Sequence, residues 1–415
     1  MAHSNSTTSM SAGVKALSDS SKAFAHTQGL WRFLNNEAVT PVCLSGPLVA
    51  SCQSATAECE GDYALCVHDW SRINYGGHSS KKDRLQMTHA SDIGYELQSS
   101  LLVNAQDGLP LSVVAQNLVS AQGIWQSRKA NLQPDDQTHL DELSERIEWI
   151  EQHPLSKRLI HIVDREADSV DHMRQWSKQG WNWLVRAKAG SMVRSEQADM
   201  SLEAVAEHLC FQQTRPVVCK GQPCMQWIAG TQVVMTRKAK PKRIDSNGQR
   251  VKAIVGEPLT VRLVVSKIVN EDGDVVAQWY LLSNVGVHIE DAQLALWYYW
   301  RWEIESFFKL LKSAGHQLES WEQETARATF NRILIATQAC VMAWGLMREQ
   351  GEHAIRARMF LVRLSGRQMK RAKPVTFPAL LDGLFTLFTM LETLQHYSLS
   401  ELKEFAQIAK NHLNL

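Results

Sequence analysis

Net charge is the first thing this chain lacks. Its 44 Lys and Arg against 43 Asp and Glu leave a formal +1, so no overall field draws it to nucleic acid or to an anionic membrane. Any grip on a polyanion has to come from local basic clusters. The opening MAHSNSTTSMSAG has no apolar run of signal-peptide length behind it. An uninterrupted membrane span is also missing: the most apolar late stretch, Phe377 to Leu394, is broken by Pro378, Asp382 and Glu392 and suits a core or interface helix better. A cytoplasmic protein with no membrane partner is expected, its eight cysteines kept as thiols. Paired metal-knuckle spacing is absent as well. His208, Cys210, Cys219 and Cys224 match no usual zinc pattern, and the seven-residue ladder Cys52, Cys59, Cys66 crosses different elements.

What the chain has is length and an ordinary globular composition. At 415 residues, 44% hydrophobic and 21% charged, it has room for two or three domains with sizeable cores. Residues 1–60 read as a helical N-terminal region: a Ser/Thr/Ala-rich tip, a helix over Lys22 to Asn36 ended by an Asn pair, and a second from Pro41 to Ala57. Strands follow at Tyr63 to Val67, Tyr95 to Val103 and Leu111 to Val119, the last two joined as a hairpin through Asn104 to Gly108. A helix is predicted over Asp135 to Gln152, a buried strand over Leu159 to Val163, a helix over Ala167 to Gln179 and a strand over Trp181 to Ala187. This α/β order ends near residue 190. Residues 191–285 turn β-prone, at Gln232 to Met235, Leu259 to Val265 and Trp279 to Leu282. Phe330 to Met347 is apolar on nearly all sides, and residues 348–415 are helical by pattern, with a basic stretch at Arg363, Arg367, Lys370, Arg371 and Lys373.

The stretch that organises the rest is WYYWRWEIESFFKLLK, Trp297 to Lys312. Stepping about 100° per residue places Arg301, Glu305, Lys309 and Lys312 on one narrow arc near Tyr298. Trp297, Trp300, Ile304, Phe307, Phe308 and Leu311 fall on a stripe fit to bury. Trp302 stands on the polar side, beside Glu305, where an aromatic ring has no packing role and can stack on a base. Spacing alone is served equally well by solvated salt bridges at i, i+4 and i+8.

The whole string Tyr298-x2-Arg301-x3-Glu305-x6-Lys312 resembles the Tyr-Arg-Glu-Lys signature of bacterial insertion-sequence transposases of the IS-four group. WRWEIESFFKLLKSAG is similar to the Tn-five-like members of that group. The resemblance implies a ribonuclease-H-like catalytic core, residues 61–190 and 286–347, interrupted by a β-rich insertion, residues 191–285. It also implies a shortened form of the helical DNA-recognition region before residue 60 and helices after 348 that join two copies. The activity implied is cut-and-paste DNA transposition through hairpin ends, by a homodimer acting on double-stranded transposon ends and target DNA near the nucleoid.

That family needs two further carboxylates, and the chain offers Asp69 in HDWS and Asp164 in VDREAD to join Glu305. Three converging carboxylates repel one another unless cations lie between them. Mg²⁺ or Mn²⁺ takes such hard oxygen ligands, and two ions about 3.5 to 4 Å apart can serve an in-line phosphodiester displacement. Alone, Asp69 also reads as a strand-end turn residue, and Asp168, one turn past Asp164, as a helix start; His68, the strand neighbour of Asp69, points to the opposite face and reads as packed or solvated.

Arg301, Lys309 and Lys312 would hold phosphates, and Tyr298 would position the same backbone. By resemblance Trp279, in AQWYLL, is the base-stacking tryptophan, and Arg186 with Lys188 forms an Arg-x-Lys phosphate pair. The run Arg237, Lys238, Lys240, Lys242, Arg243, Arg250 and Lys252 reads either as a DNA-backbone grip or as a solvated loop. Two rival readings stay open: a non-cleaving DNA-binding regulator of transposition, and a nuclease that does not join strands.

Overall fold

The computed structural model describes residues 23–196, 198–219, 221–239, 252–370 and 373–411. Helices α1 (Ala23–Asn35) and α2 (Pro41–Glu58) come first. They are followed by β1 (Tyr63–Asn74), the short β2 (Leu85–Gln86), β3 (Ile93–Asn104), β4 (Pro110–Ser120) and the edge strand β5 (Gly123–Gln126). Helix α3 (His139–Glu151) leads to β6 (Arg158–Val163), and α4 (Val170–Lys178) leads to β7 (Asn182–Ala187). Strand β1 is central, antiparallel to β3 on one side and parallel to β6 on the other, and β7 lies parallel beyond β6. The first six residues of β1 and the last five of β6 are all buried, as a central parallel pair covered on both faces requires. The order β4-β3-β1-β6-β7 is the ribonuclease-H-like arrangement, a mixed α/β fold with helical regions on either side in sequence.

Local signals place the helices. Thr138 accepts the Asp141 N–H and Asp141 answers to the Thr138 backbone, a capping box that starts α3 at His139 and leaves Asp135 and Asp136 outside it. The predicted helix over Ala167 to Gln179 begins later than expected, because Asp164 caps a separate 3₁₀ turn at Arg165–Ala167 and α4 starts only after Ser169.

The segment after residue 190 supplies β8 (Met192–Ser195), β9 (Ala198–Ser201), α5 (Leu202–Glu207), β10 (Gln212–Cys219), β11 (Gln222–Met235), β12 (Leu259–Asn270) and β13 (Val275–Ser283). Strand β13 pairs antiparallel with β7, Tyr280 opposite Ala187 and Leu282 opposite Val185. The sheet therefore runs on without a break, and Val163, Trp183 and Val185 share one apolar cluster with Val233, Leu263 and Val265. Among the described residues it reaches thirteen strands.

Next come α6 (Asp291–Tyr299) and α7 (Trp302–Lys309), then α8 (Ala326–Arg348), α9 (Glu352–Leu364), α10 (Phe377–His396) and α11 (Leu399–Asn411). Helix α8 is buried on nearly all sides and packs on β4, α1, α2 and α10. Of the described helices, α8 and α10 are long and apolar enough to cross a membrane, but 72% of the apolar window of α8 lies inside the protein. The first half of α10 is buried and its second half exposes Met390, Leu391 and Leu394.

One expectation about the organising stretch is corrected. Trp297 to Lys312 is not a single regular helix. The α6 helix stops at Tyr299, and Arg301, Glu303 and Ile304 donate their N–H groups to the carbonyls three residues back, at 3.0 to 3.2 Å. After Lys309 the chain loosens into a π turn, Leu310–Ala314. The tightening spoils the even 100° step: of the residues placed on one arc, Arg301 is 4% exposed and Lys309 is exposed. The apolar stripe holds: Trp297, Ile304, Phe307, Phe308 and Leu311 are buried and Trp300 is half-buried.

Candidate active site

Strand β1 carries Asp69 out of the core, its first six residues buried and the next three only partly so. His68 pairs with Val163 across the parallel β1–β6 ladder, so one step further along both strands Asp69 and Asp164 come side by side. Glu305 approaches from α7. The junction between α6 and α7 is fixed over the β3–β4 hairpin in two ways. The Trp297 indole donates to the Ala105 carbonyl at 3.0 Å. The Trp300 ring lies over Gly108 so closely that a Cβ there, at a φ of +76°, would come within 2.6 Å of it. Arg301 sits at that junction.

The Arg301 guanidinium binds all three acids. It donates to Asp69 Oδ2 at 2.8 Å and to Glu305 Oε1 at 2.7 Å, and it lies 3.9 Å from Asp164 Oδ2. Its side chain is 5% exposed, against 21% for Asp69, 35% for Asp164 and 38% for Glu305. Burial disfavours the guanidinium charge, yet Tyr298, Asp164 and Asp69 around it hold its pKa above the ordinary value.

The two aspartates are tuned apart. Burial pushes the Asp69 carboxyl up to about 6, aided by the nearby Asp164 and Glu305 charges, although Arg301 and the Trp70 N–H pull the other way. Burial also pushes on Asp164, but there it is outweighed by the Arg165 N–H at 2.6 Å, by Arg301, by the Tyr298 hydroxyl at 3.0 Å and by Arg186 at 3.6 Å. Asp164 therefore stays below the usual carboxylate range. Three carboxylates gathered around a bound side-chain cation form a hard-oxygen donor set that fits a divalent ion such as Mg²⁺ or Mn²⁺.

The other sequence-predicted residues divide into two groups. Tyr298, Arg186, Trp279 and Trp302 join the acids: the Trp279 ring lies 5.8 Å from Tyr298, and the half-exposed Trp302 ring lies 5.5 Å from the Arg301 guanidinium. Lys309, Lys312 and Lys188 do not. Lys309 is exposed and has no polar partner among the described residues. Lys312 turns to the Arg72 carbonyl, to Ser71 Oγ at 3.4 Å and to Glu319 at 3.3 Å. Lys188, exposed just past the end of β7, gives only its backbone N–H, to Asp168.

Two structural expectations are corrected here. Asp168 starts no helix: its side chain is 1% exposed and accepts from Arg237, the Ser191 hydroxyl and the Lys188 N–H. Arg237 is therefore held by that pair and is not free to grip a DNA backbone. Lys238 and Lys252 are exposed, whereas Lys240, Lys242, Arg243 and Arg250 lie outside the described residues, as does Arg371.

Of the two readings its strand position left open, packed or solvated, His68 takes the first. It is fully buried between Ser100 and His161, 2.9 Å from each, and His161 reaches Glu151 at 2.8 Å. With Cys66 these two histidines form a donor cluster within 4.8 Å. Nothing in sequence spacing shows it, because it depends on Cys66 pairing with His161 across the two strands. Glu319 steadies Lys312 and accepts the Asn74 N–H at 3.0 Å; no motif shows it, because the 3₁₀ turn Leu318–Ser320 that carries it meets the end of β1 only in the fold.

The family model for a transposase DDE domain matches residues 61–341. Among solved structures, the chain is similar to a piggyBac transposase synaptic complex with hairpin DNA, determined by cryo-EM. The two are 10% identical, with a TM-score of 0.31, and the match covers 82% of this chain and 56% of that one. No curated protein matches the chain.

Proposed function

Because the chain belongs to the transposase DDE domain family, we propose that it is a cut-and-paste DNA transposase of the IS-four, Tn-five-like kind, acting in the bacterial cytoplasm. The observation that carries this reading is the convergence of Asp69, Asp164 and Glu305, from β1, the end of β6 and α7, on one guanidinium.

In this reading the three carboxylates would hold two Mg²⁺ ions, with Mn²⁺ able to substitute. When bound, the ions supply the Lewis acidity that activates an attacking water or 3′-hydroxyl and stabilises the leaving oxygen. The chain's own residues do the positioning. The Tyr298 hydroxyl, held on Asp164, aligns the scissile backbone, and Arg186 faces the same phosphate. Trp279 and Trp302 offer ring faces to a base extruded as the cut strand closes into a hairpin. Lys309 and Lys188 act farther out, as point charges along the DNA path, and Lys312, paired with Glu319, adds to that path mainly by steadying the end of β1. The apolar side chains that α10 and α11 expose, Met390, Leu391, Leu394, Phe405 and Ile408, support a homodimer joined through these helices.

The test is cleavage of a plasmid carrying the element's own ends, with Mg²⁺ or Mn²⁺, by wild type and Glu305→Ala. Metal-dependent hairpin ends that vanish in the variant are the expected result. Wild-type protein that binds the ends without cutting them would replace the reading with that of a regulator. Cut ends that never join a second DNA would replace it with a simple nuclease.

A further inference from the structure

Arg301 occupies the place among the carboxylates where the proposed ions belong. Its nitrogens engage Asp69 Oδ2 at 2.8 Å and Glu305 Oε1 at 2.7 Å, the same oxygens that would coordinate a divalent cation at about 2.0 to 2.1 Å. A guanidinium and a divalent cation cannot both take these oxygens from the same side, and at such separations their like charges repel strongly in a partly buried site.

The arginine is also incompletely satisfied where it stands. Its Nε is buried and has no acceptor among the described residues, and a buried donor without a partner is costly. A phosphodiester offers the bidentate acceptor that would satisfy this edge of the fork. Beside the guanidinium the Trp302 ring, 5.5 Å away, is half exposed.

We propose that Arg301 is a placeholder cation that holds the three carboxylates together and keeps divalent ions out until a DNA phosphate draws it away, so that metal loading and DNA binding reinforce each other. The proposal rests on the reading of the three acids as metal ligands. It makes Arg301 a positioning residue whose removal strengthens metal binding, the reverse of what a purely structural or DNA-binding role would give. By linkage, whatever factor DNA adds to metal affinity, metal adds to DNA affinity.

The test is titration of the full chain with Mn²⁺, followed by electron paramagnetic resonance, for wild type, Arg301→Met, Arg301→Lys and Asp69→Asn. Without DNA, Arg301→Met is expected to bind Mn²⁺ roughly tenfold more tightly than wild type, within the usual span of coupling factors. A short duplex of the element's own end is expected to tighten binding in wild type and to leave Arg301→Met unchanged. Should Arg301→Met fail to fold, Arg301→Lys carries the same test: an ammonium lacks the planar fork and holds the carboxylates less firmly, so it too should bind Mn²⁺ more tightly than wild type. If both arginine variants that fold bind no better than wild type while Asp69→Asn loses the ion, the placeholder role is overturned and the metal site stands. If Asp69→Asn binds Mn²⁺ as wild type does, the reading of the acids is overturned and the placeholder goes with it.

Discussion

Two sets of three donor side chains lie back to back across β1 and β6. On one face Asp69 and Asp164, joined by Glu305 from α7, surround an arginine. On the other Cys66, His68 and His161 come within 4.8 Å of one another. By donor count alone both would pass for metal sites. Accessibility and residual need separate them. The histidine side is 0% to 1% exposed and closes on itself as a chain from the Ser100 hydroxyl through His68 and His161 to Glu151, in which every ring nitrogen has a partner. The acidic side chains are 21% to 38% exposed, and the cation that neutralises them keeps an unpartnered Nε. A site able to take up something from outside is partly open and incompletely satisfied. A packed polar core is neither.

The largest effect that sharpens the contrast is on catalysis. Replacing Asp164 by Asn keeps the shape but removes a ligand, and DNA cleavage should fall by more than about a hundredfold, since even the outer-shell partners of ligands are worth 10- to 100-fold. His68→Leu should reduce cleavage per folded molecule far less. Equal losses in the two variants, measured on the same plasmid, would erase the distinction.

In stability the ranking reverses. His68→Leu strands Ser100 and His161 in the core, at about 1 to 3 kcal/mol for each buried group left unpaired, read as a lower urea midpoint. Asp164, whose side chain is 35% exposed, should cost less when neutralised.

The two faces should also answer acid with opposite signs. Burial, with His161 and Arg146 nearby, holds His68 well below the ordinary 6.5. The unfolded chain therefore takes up that proton first, so the His68 contribution is present above pH 6.5 and is lost as pH falls. Asp69, raised from 3.8 to about 6, does the reverse: its contribution is full below 3.8 and is lost as pH rises through about 6. Each slope is at most about 1.4 kcal/mol per pH unit. In urea unfolding between pH 4 and 7, His68→Leu should flatten the acid loss and Asp69→Asn should steepen it.

These pairs also show what a sequence discloses. Asp69, Asp164 and Glu305 were singled out by the resemblance of whole motifs, since a strand end or a helical spacing alone reads equally as structural, and β1, β6 and α7 deliver them to one guanidinium. The same spacing put Arg301 on the arc of Glu305, to which it does bond, but an ideal helix wheel cannot anticipate the tightened turn after Tyr299 and the burial of that side chain. It misjudged Asp168 and Arg237 because their ion pair joins positions 69 residues apart, a contact that only the continuation of the sheet through β13 brings about. The Cys66–His161 contact was illegible for a related reason, being set by strand register and not by any motif.

The smallest effect concerns Lys309. It lies one helical turn beyond Glu305, exposed and without a polar partner among the described residues, so replacing it by Ala should leave stability and chemistry nearly untouched. If it meets a DNA phosphate, its loss weakens binding about equally across sequences and reduces the slope of log affinity against log salt by about 1. Lys312 gives the contrast. It is tied to the Arg72 carbonyl and Glu319, so Lys312→Ala should loosen the end of β1 just past Asp69 and lower cleavage more than it lowers the salt slope. Fluorescence anisotropy over a salt series separates the two lysines, and an unchanged slope in Lys309→Ala would remove that residue from the DNA path.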